Sequence, residues 1–132
     1  MSEQFEPAEF EQLGGIQLGV YAVTKAKEGN LPPDCLDYFR RNASRWDGQH
    51  LEMGLMFLSK LDSEEAWHEI ANYLGHPLKF IRLNVLACFV HSQGRIDRYV
   101  LGKLEERLNV ETEEFAKVWL NQLCNKATRR IS

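Results

Sequence analysis

The 132-residue sequence predicts an all-α protein, a short right-handed solenoid of about three helix pairs behind an N-terminal capping helix. Three observations carry this expectation. Apolar residues recur at helical spacing through most of the chain. No segment offers a good strand candidate, and no hairpin dipeptide occurs. The chain also repeats itself: Ile16, Leu51, Ile81 and Phe115 open the blocks IQLGVYAV, LEMGLMFL, IRLNVLAC and FAKVWLNQ. Successive blocks start 35, 30 and 34 residues apart (16 to 51, 51 to 81, 81 to 115), a period that marks stacked supersecondary units.

Taken in order, the first helix runs from about Pro7 to Lys27, with a kink or break at Gly14-Gly15. Gly29 to Pro33 interrupts the chain, and Asp34 is placed to cap a short helix, about 34–43, with Leu36 and Phe39 on one face. Asp47 caps a helix to about Lys60 that carries Leu51, Leu55 and Leu58. Asp62 and Glu65 have the spacing of a capping box. They head a helix over about 64–74, where Trp67, Ile70, Ala71 and Leu74 form one stripe. Gly75 stops that helix and Pro77 opens the next. Residues 78–90, LKFIRLNVLACFV, are apolar on nearly every side, so this helix is expected to be the most buried and Cys88 an inert core thiol. His91-Ser92-Gln93-Gly94 reads as a loop. Ile96, Tyr99, Val100, Leu104 and Leu108 mark a helix over about 96–108. Asn109 begins the last helix, with Phe115, Val118, Trp119 and Leu123 as its apolar residues. The ends, about 1–6 and 125–132, are expected to fray from a single domain spanning 1–132.

Apolar residues make up 44% and charged residues 27%, a balance that excludes general disorder. With 16 basic and 19 acidic residues the net charge is −3, too balanced for a strong electrostatic nucleic-acid binder. Three cysteines without C-x-x-C spacing point to reduced thiols. No apolar run is long enough to span a membrane, and the start is acidic rather than basic and then apolar. The expected location is therefore cytoplasmic, with no membrane partner.

The third block has a further feature. His76-Pro77 is followed by Ile81-Arg82 and then by Val85, Leu86 and Ala87. This resembles the HEAT-like α-solenoid repeat, whose helix opens with Asp-Pro and carries Val-Arg four residues on. Here His76 stands in the place of the Asp. In the preceding unit Asp47 keeps the acid, while Gly48 and Glu52 replace the Pro and the Arg; the unit at Asn109 has neither. The resemblance covers roughly residues 34–124. It implies helix pairs that hide their apolar faces against one another. It also implies that Arg82 ties neighbouring repeats together, with an acid such as Asp47 as its partner.

Candidate chemistry is sparse. Glu65-x-x-His68 and Asp47-x-x-His50 each place a carboxylate and an imidazole on one helical face, but a di-iron bundle needs two Glu-x-x-His motifs and two further Glu. No G-x-S-x-G is present, and Gly14-Gly15-Ile16-Gln17-Leu18-Gly19 does not follow either phosphate-loop order. No catalytic residue, metal ligand or cofactor is assigned, and the chain is read as a non-enzyme. The expected function is a non-catalytic protein-binding module. Small bacterial immunity proteins, which block a toxin by binding it, share this size and architecture. The expected contact surface is a mixed-charge ridge on the long helices: Gln49, Glu52, Met53, Lys79, Arg82, Glu113 and Lys117. The alternative is a nucleic-acid-binding helical domain that uses Arg40, Arg41, Arg45, Lys79 and Arg82, with Trp46 available to stack.

Overall fold

Short polar caps and glycines cut the chain into helices, much as the spacing of these residues suggests. The computed structural model describes residues 4–91 and 96–131. Among the described residues there is no strand. None of their helices is long and apolar enough to cross a membrane. Of the expected loop at His91 to Gly94, Ser92 to Gly94 lie outside the described residues. The chain divides into two compact units, Met1–Asp62 and Ser63–Ser132.

The first unit holds α1 (Pro7–Gln12), α2 (Gly15–Lys27), α3 (Cys35–Asn42), a 3₁₀ turn (Ala43–Arg45) and α4 (Gly48–Leu61). The break expected at Gly14-Gly15 separates α1 from α2. Gly15 has φ +58°, a conformation only glycine adopts freely. Gln49 holds it there: Gly15 N–H donates to Gln49 Oε1 at 2.9 Å, and Gln49 Nε2 donates to the Gly15 carbonyl at 2.7 Å. Asp47 caps α4 as expected, accepting from His50 N–H. Asp34 precedes α3 in a left-handed conformation, and its side chain makes no cap bond. Both α2 and α3 pack on α4. Between them Phe5, Phe10, Tyr38, Phe39 and Phe57 are buried. Phe5, in the stretch expected to fray, packs its ring on those of Phe10, Tyr21, Tyr38 and Phe57. Gly54 makes room for this cluster: a Cβ there would lie 2.7 Å from the Trp46 ring and 3.0 Å from Phe39.

The second unit holds α5 (Glu64–Ala71), α6 (Lys79–Val90), α7 (Arg98–Leu108) and α8 (Glu114–Ile131). α5 packs on α7, α6 packs on α8, and α7 packs along α8. Its core is mostly aliphatic: Ile70, Ile81, Val85, Leu86, Leu104 and Leu120 are all but sealed from solvent. Ser63, not Asp62, caps α5, accepting from Ala66 N–H. Asp62 instead closes α4 in a left-handed conformation at φ 56°. The last helix starts at Glu114 rather than Asn109, because Glu113 is the residue that caps it: Ala116 N–H donates to Glu113 Oε1. Cys35 and Cys124 are buried, and burial pushes both thiols up to about 11. Cys88, expected deep in the core, is only half-buried.

Candidate functional site

Arg82 dominates the polar chemistry of the second unit. One turn into α6, it is buried and uses its whole guanidinium. Nε and Nη2 donate to Glu111 Oε1 and Oε2, each at 3.0 Å, and Nη1 donates to the carbonyls of His76 and Pro77. Such a two-point fork on a carboxylate fixes direction as well as distance. Glu111 gathers more donors: Arg107 Nε at 2.9 Å and the backbone N–H groups of Thr112 and Glu113. Burial alone would raise this carboxyl. The hydrogen bonds from Arg82 and Arg107 outweigh it and hold Glu111 at about 2. Glu111 thus clamps α6, α7 and the approach to α8 at one point. The resemblance put an acid such as Asp47 opposite Arg82. The acid is Glu111, whereas Asp47 contacts His50, one of whose ring nitrogens lies 2.8 Å from Asp47 Oδ1 and the other 3.1 Å from the Phe10 carbonyl.

Both α6 and α8 also expose apolar side chains near their starts. Phe115 is 71% exposed and Phe80 44%, with Leu78 and Val118 also exposed. Lys79 is exposed among them, and Lys117 pairs with Glu114 at 3.5 Å. The first turns of α6 and α8, brought together by the Arg82–Glu111 pair, therefore present two phenylalanines, two aliphatic side chains and charges of both signs. A cleft over α5 and α7, about 310 Å³, is lined by Lys103, Glu106 and Arg107 together with Ala71, Leu74 and Val110. Its Arg107 is engaged by Glu111.

The seven residues expected to form a ridge fare differently. Lys79, Glu113 and Lys117 lie at the surface just described, with Glu113 engaged as the cap of α8. Arg82 belongs to the buried clamp. It is no surface ligand, because its donors are spent on Glu111 and two carbonyls. Gln49 is occupied by Gly15, and it lies with half-buried Glu52 and Met53 on α4 of the other unit. Burial raises the Glu52 carboxyl. The apolar members were missed because Phe115 and Val118 read as core. Glu111 was missed as well: the resemblance called for an acid opposite Arg82, and Glu111 stands just ahead of the next helix.

The other candidate chemistries have structural partners too. His68 Nε2 lies 2.7 Å from Asp97 Oδ2, beside the Tyr99 ring. Asp97 meanwhile caps α7 by accepting from Val100 N–H. Among the basic residues of the alternative reading, Arg41 pairs with Asp37, Arg45 with Glu11 and Arg82 with Glu111. Among the described residues no group of three or more His, Cys, Asp or Glu side chains is placed to hold a metal ion. No known family, curated protein or solved structure matches the chain.

Proposed function

We propose that the protein is a non-catalytic protein-binding module whose contact surface lies on the first turns of α6 and α8. The observation that carries this reading is the exposure of Phe80 and Phe115 near the starts of two helices that a buried ion pair ties together. Aromatic side chains held on a rigid support, with charges at the margin, are what protein interfaces concentrate at their centres. A nucleic acid would favour cations left open to its phosphates. Here three of the five basic residues offered for that role are paired to acids. The packing of α5 on α7 and of α6 on α8 supports a HEAT-like order in the second unit, with first helix on first and second on second. A basic partner suits a chain of net charge −3, and a basic toxin is one such partner, for which this protein would act as the immunity protein.

The test is affinity capture from cytosol with wild-type protein and with the double variant Phe80→Ser/Phe115→Ser in parallel. A protein retained by the wild type and lost by the variant, at unchanged melting temperature, is the expected result. An identical retained set rejects this surface. Loss of binding in Glu52→Lys/Lys79→Glu, but not in the phenylalanine variant, would return the contact to the charged ridge.

A further inference from the structure

The clamp uses its two arginines unequally. Arg82 engages all three of its nitrogens, on Glu111 and on the carbonyls of His76 and Pro77. Arg107 engages only Nε, on Glu111. Its side chain is just 20% exposed, yet neither Nη1 nor Nη2 has a hydrogen-bond partner among the described residues. A guanidinium carries five N–H donors, and donors withdrawn from water without an acceptor are costly. Nη1 lies at the wall of the cleft over α5 and α7, where a Cβ on Gly75 would stand 4.0 Å from it. Two further donors line this cleft. Asn72 Oδ1 is taken by the Tyr99 hydroxyl at 3.0 Å, which leaves the amide nitrogen of Asn72 open. Lys103 pairs with no acid among the described residues, and its Nζ sits 5.6 Å from the centre of the Tyr99 ring.

We propose that this cleft binds a small aliphatic carboxylate, whose two oxygens accept from Nη1 and Nη2 of Arg107 while its apolar body lies against Leu74 and Val110. The open edge of a guanidinium presents two N–H groups side by side, and a planar carboxylate takes both. Charge decides the class of anion. The clamp sets two guanidiniums against one carboxylate and so holds one positive charge in surplus. Arg82 is buried with its nitrogens engaged, so the surplus is felt at Arg107. Lys103 and Glu106, both lining the cleft, cancel. The C-terminal ends of α5 and α7 oppose part of the surplus, each by roughly half a negative charge at most. What remains suits the single charge of a carboxylate and not the two of a phosphate monoester. The same dipoles account for a base in the last turn of α7, but they leave Nη1 and Nη2 without acceptors. At about 310 Å³ the cleft lies at the small end of ligand sites, which points to a short-chain acid.

A titration of the full chain with sodium hexanoate, followed by amide and arginine side-chain NMR signals at constant ionic strength, tests this. Saturable shifts are expected at Asn72, Gly75, Lys103, Val110 and the Arg107 side chain, with a dissociation constant on the order of 1 mM. Acetate, which lacks the apolar body, and hexanol, which lacks the charge, should each bind at least about tenfold more weakly. Hexylammonium should not bind. Val110→Asp places a carboxylate at the mouth of the cleft, on a side chain 62% exposed. It should abolish binding at an unchanged melting temperature. Arg107→Lys keeps the charge but loses the two-point edge, and should weaken hexanoate roughly tenfold. Shifts that fail to saturate at tens of millimolar overturn the proposal, as do saturable shifts centred away from the cleft or unaffected by Val110→Asp. Tighter binding of hexyl phosphate than of hexanoate overturns the assignment to a carboxylate. The Phe80→Ser/Phe115→Ser variant should bind hexanoate as the wild type does, so this site and the protein-binding surface stand or fall separately.

Discussion

The two units use phenylalanine in opposite ways. All four phenylalanines of the first unit, Phe5, Phe10, Phe39 and Phe57, are buried. They stack at ring separations of 5 to 6 Å with one another or with Tyr38 and Trp46. In the second unit only Phe89 is buried, against Trp67, while Phe80 and Phe115 stand in solvent. That unit relies on aliphatic packing and on one saturated carboxylate, Glu111. The lesson is that residue type does not decide placement. A ring is core where neighbouring rings make a hole for it, and surface where small residues have already closed the interior.

This contrast can be broken at its strongest point with a pair of truncations. Phe10→Ala, at a fully buried position, should cost about 3–5 kcal/mol. Phe115→Ala should change stability by no more than about 0.5 kcal/mol. Urea melts read by fluorescence assign the loss, since Trp46 lies in the first unit and Trp67 and Trp119 in the second. Similar losses from the two truncations would end the distinction.

Acid sharpens it next. Glu111 titrates at about 2 in the folded protein against an ordinary 4.5, so the unfolded chain binds its proton first as pH falls. The stability from this group is complete above about pH 4.5 and is lost between there and about pH 2. It amounts to about 3 kcal/mol, without discount for solvent because the side chain is fully buried. Melts of the wild type and of Glu111→Gln across that window should converge, the variant losing much less of its stability. Parallel curves would mean that the clamp is not the acid-sensitive element.

The smallest effect concerns glycine. Gly54→Ala forces a methyl against the Trp46 and Phe39 rings and should cost about 1–3 kcal/mol. A stabilised variant would show that the aromatic cluster is looser than its packing indicates.

Much of the fold was legible because capping and breaking residues act locally. Asp47 and the Gly14-Gly15 pair punctuate the chain where their chemistry predicts, whereas α5 ends at Ala71, four residues short of the expected stop at Gly75. The misreadings share one cause. In α2 and α8 the inward faces are alanine-rich, Ala22 and Ala26 in one and Ala116 and Ala127 in the other. Alanine contributes little apolar weight, yet it lets two helices approach closely. Pattern reading therefore gave the core to Ile16, Phe115 and Val118, which are exposed. The candidate site was legible only in its charged members for the same reason. The Arg82–Glu111 pair links positions 29 residues apart, and nothing in local spacing chooses one acid over its neighbours.

The Phe5–Phe57 contact closes almost the whole first unit into a single loop. Loop-closure entropy grows only logarithmically with length, by about 0.6 kcal/mol per doubling, so so long a closure costs little more than a short one. The delay it imposes is kinetic. The aromatic cluster cannot be completed until the fourth helix has left the ribosome, and until then Phe5 and Phe10 are exposed apolar rings on a growing chain. Cutting the chain before Pro7, or fusing a bulky tag close to Phe5, should therefore disturb the centre of the unit rather than trim its edge.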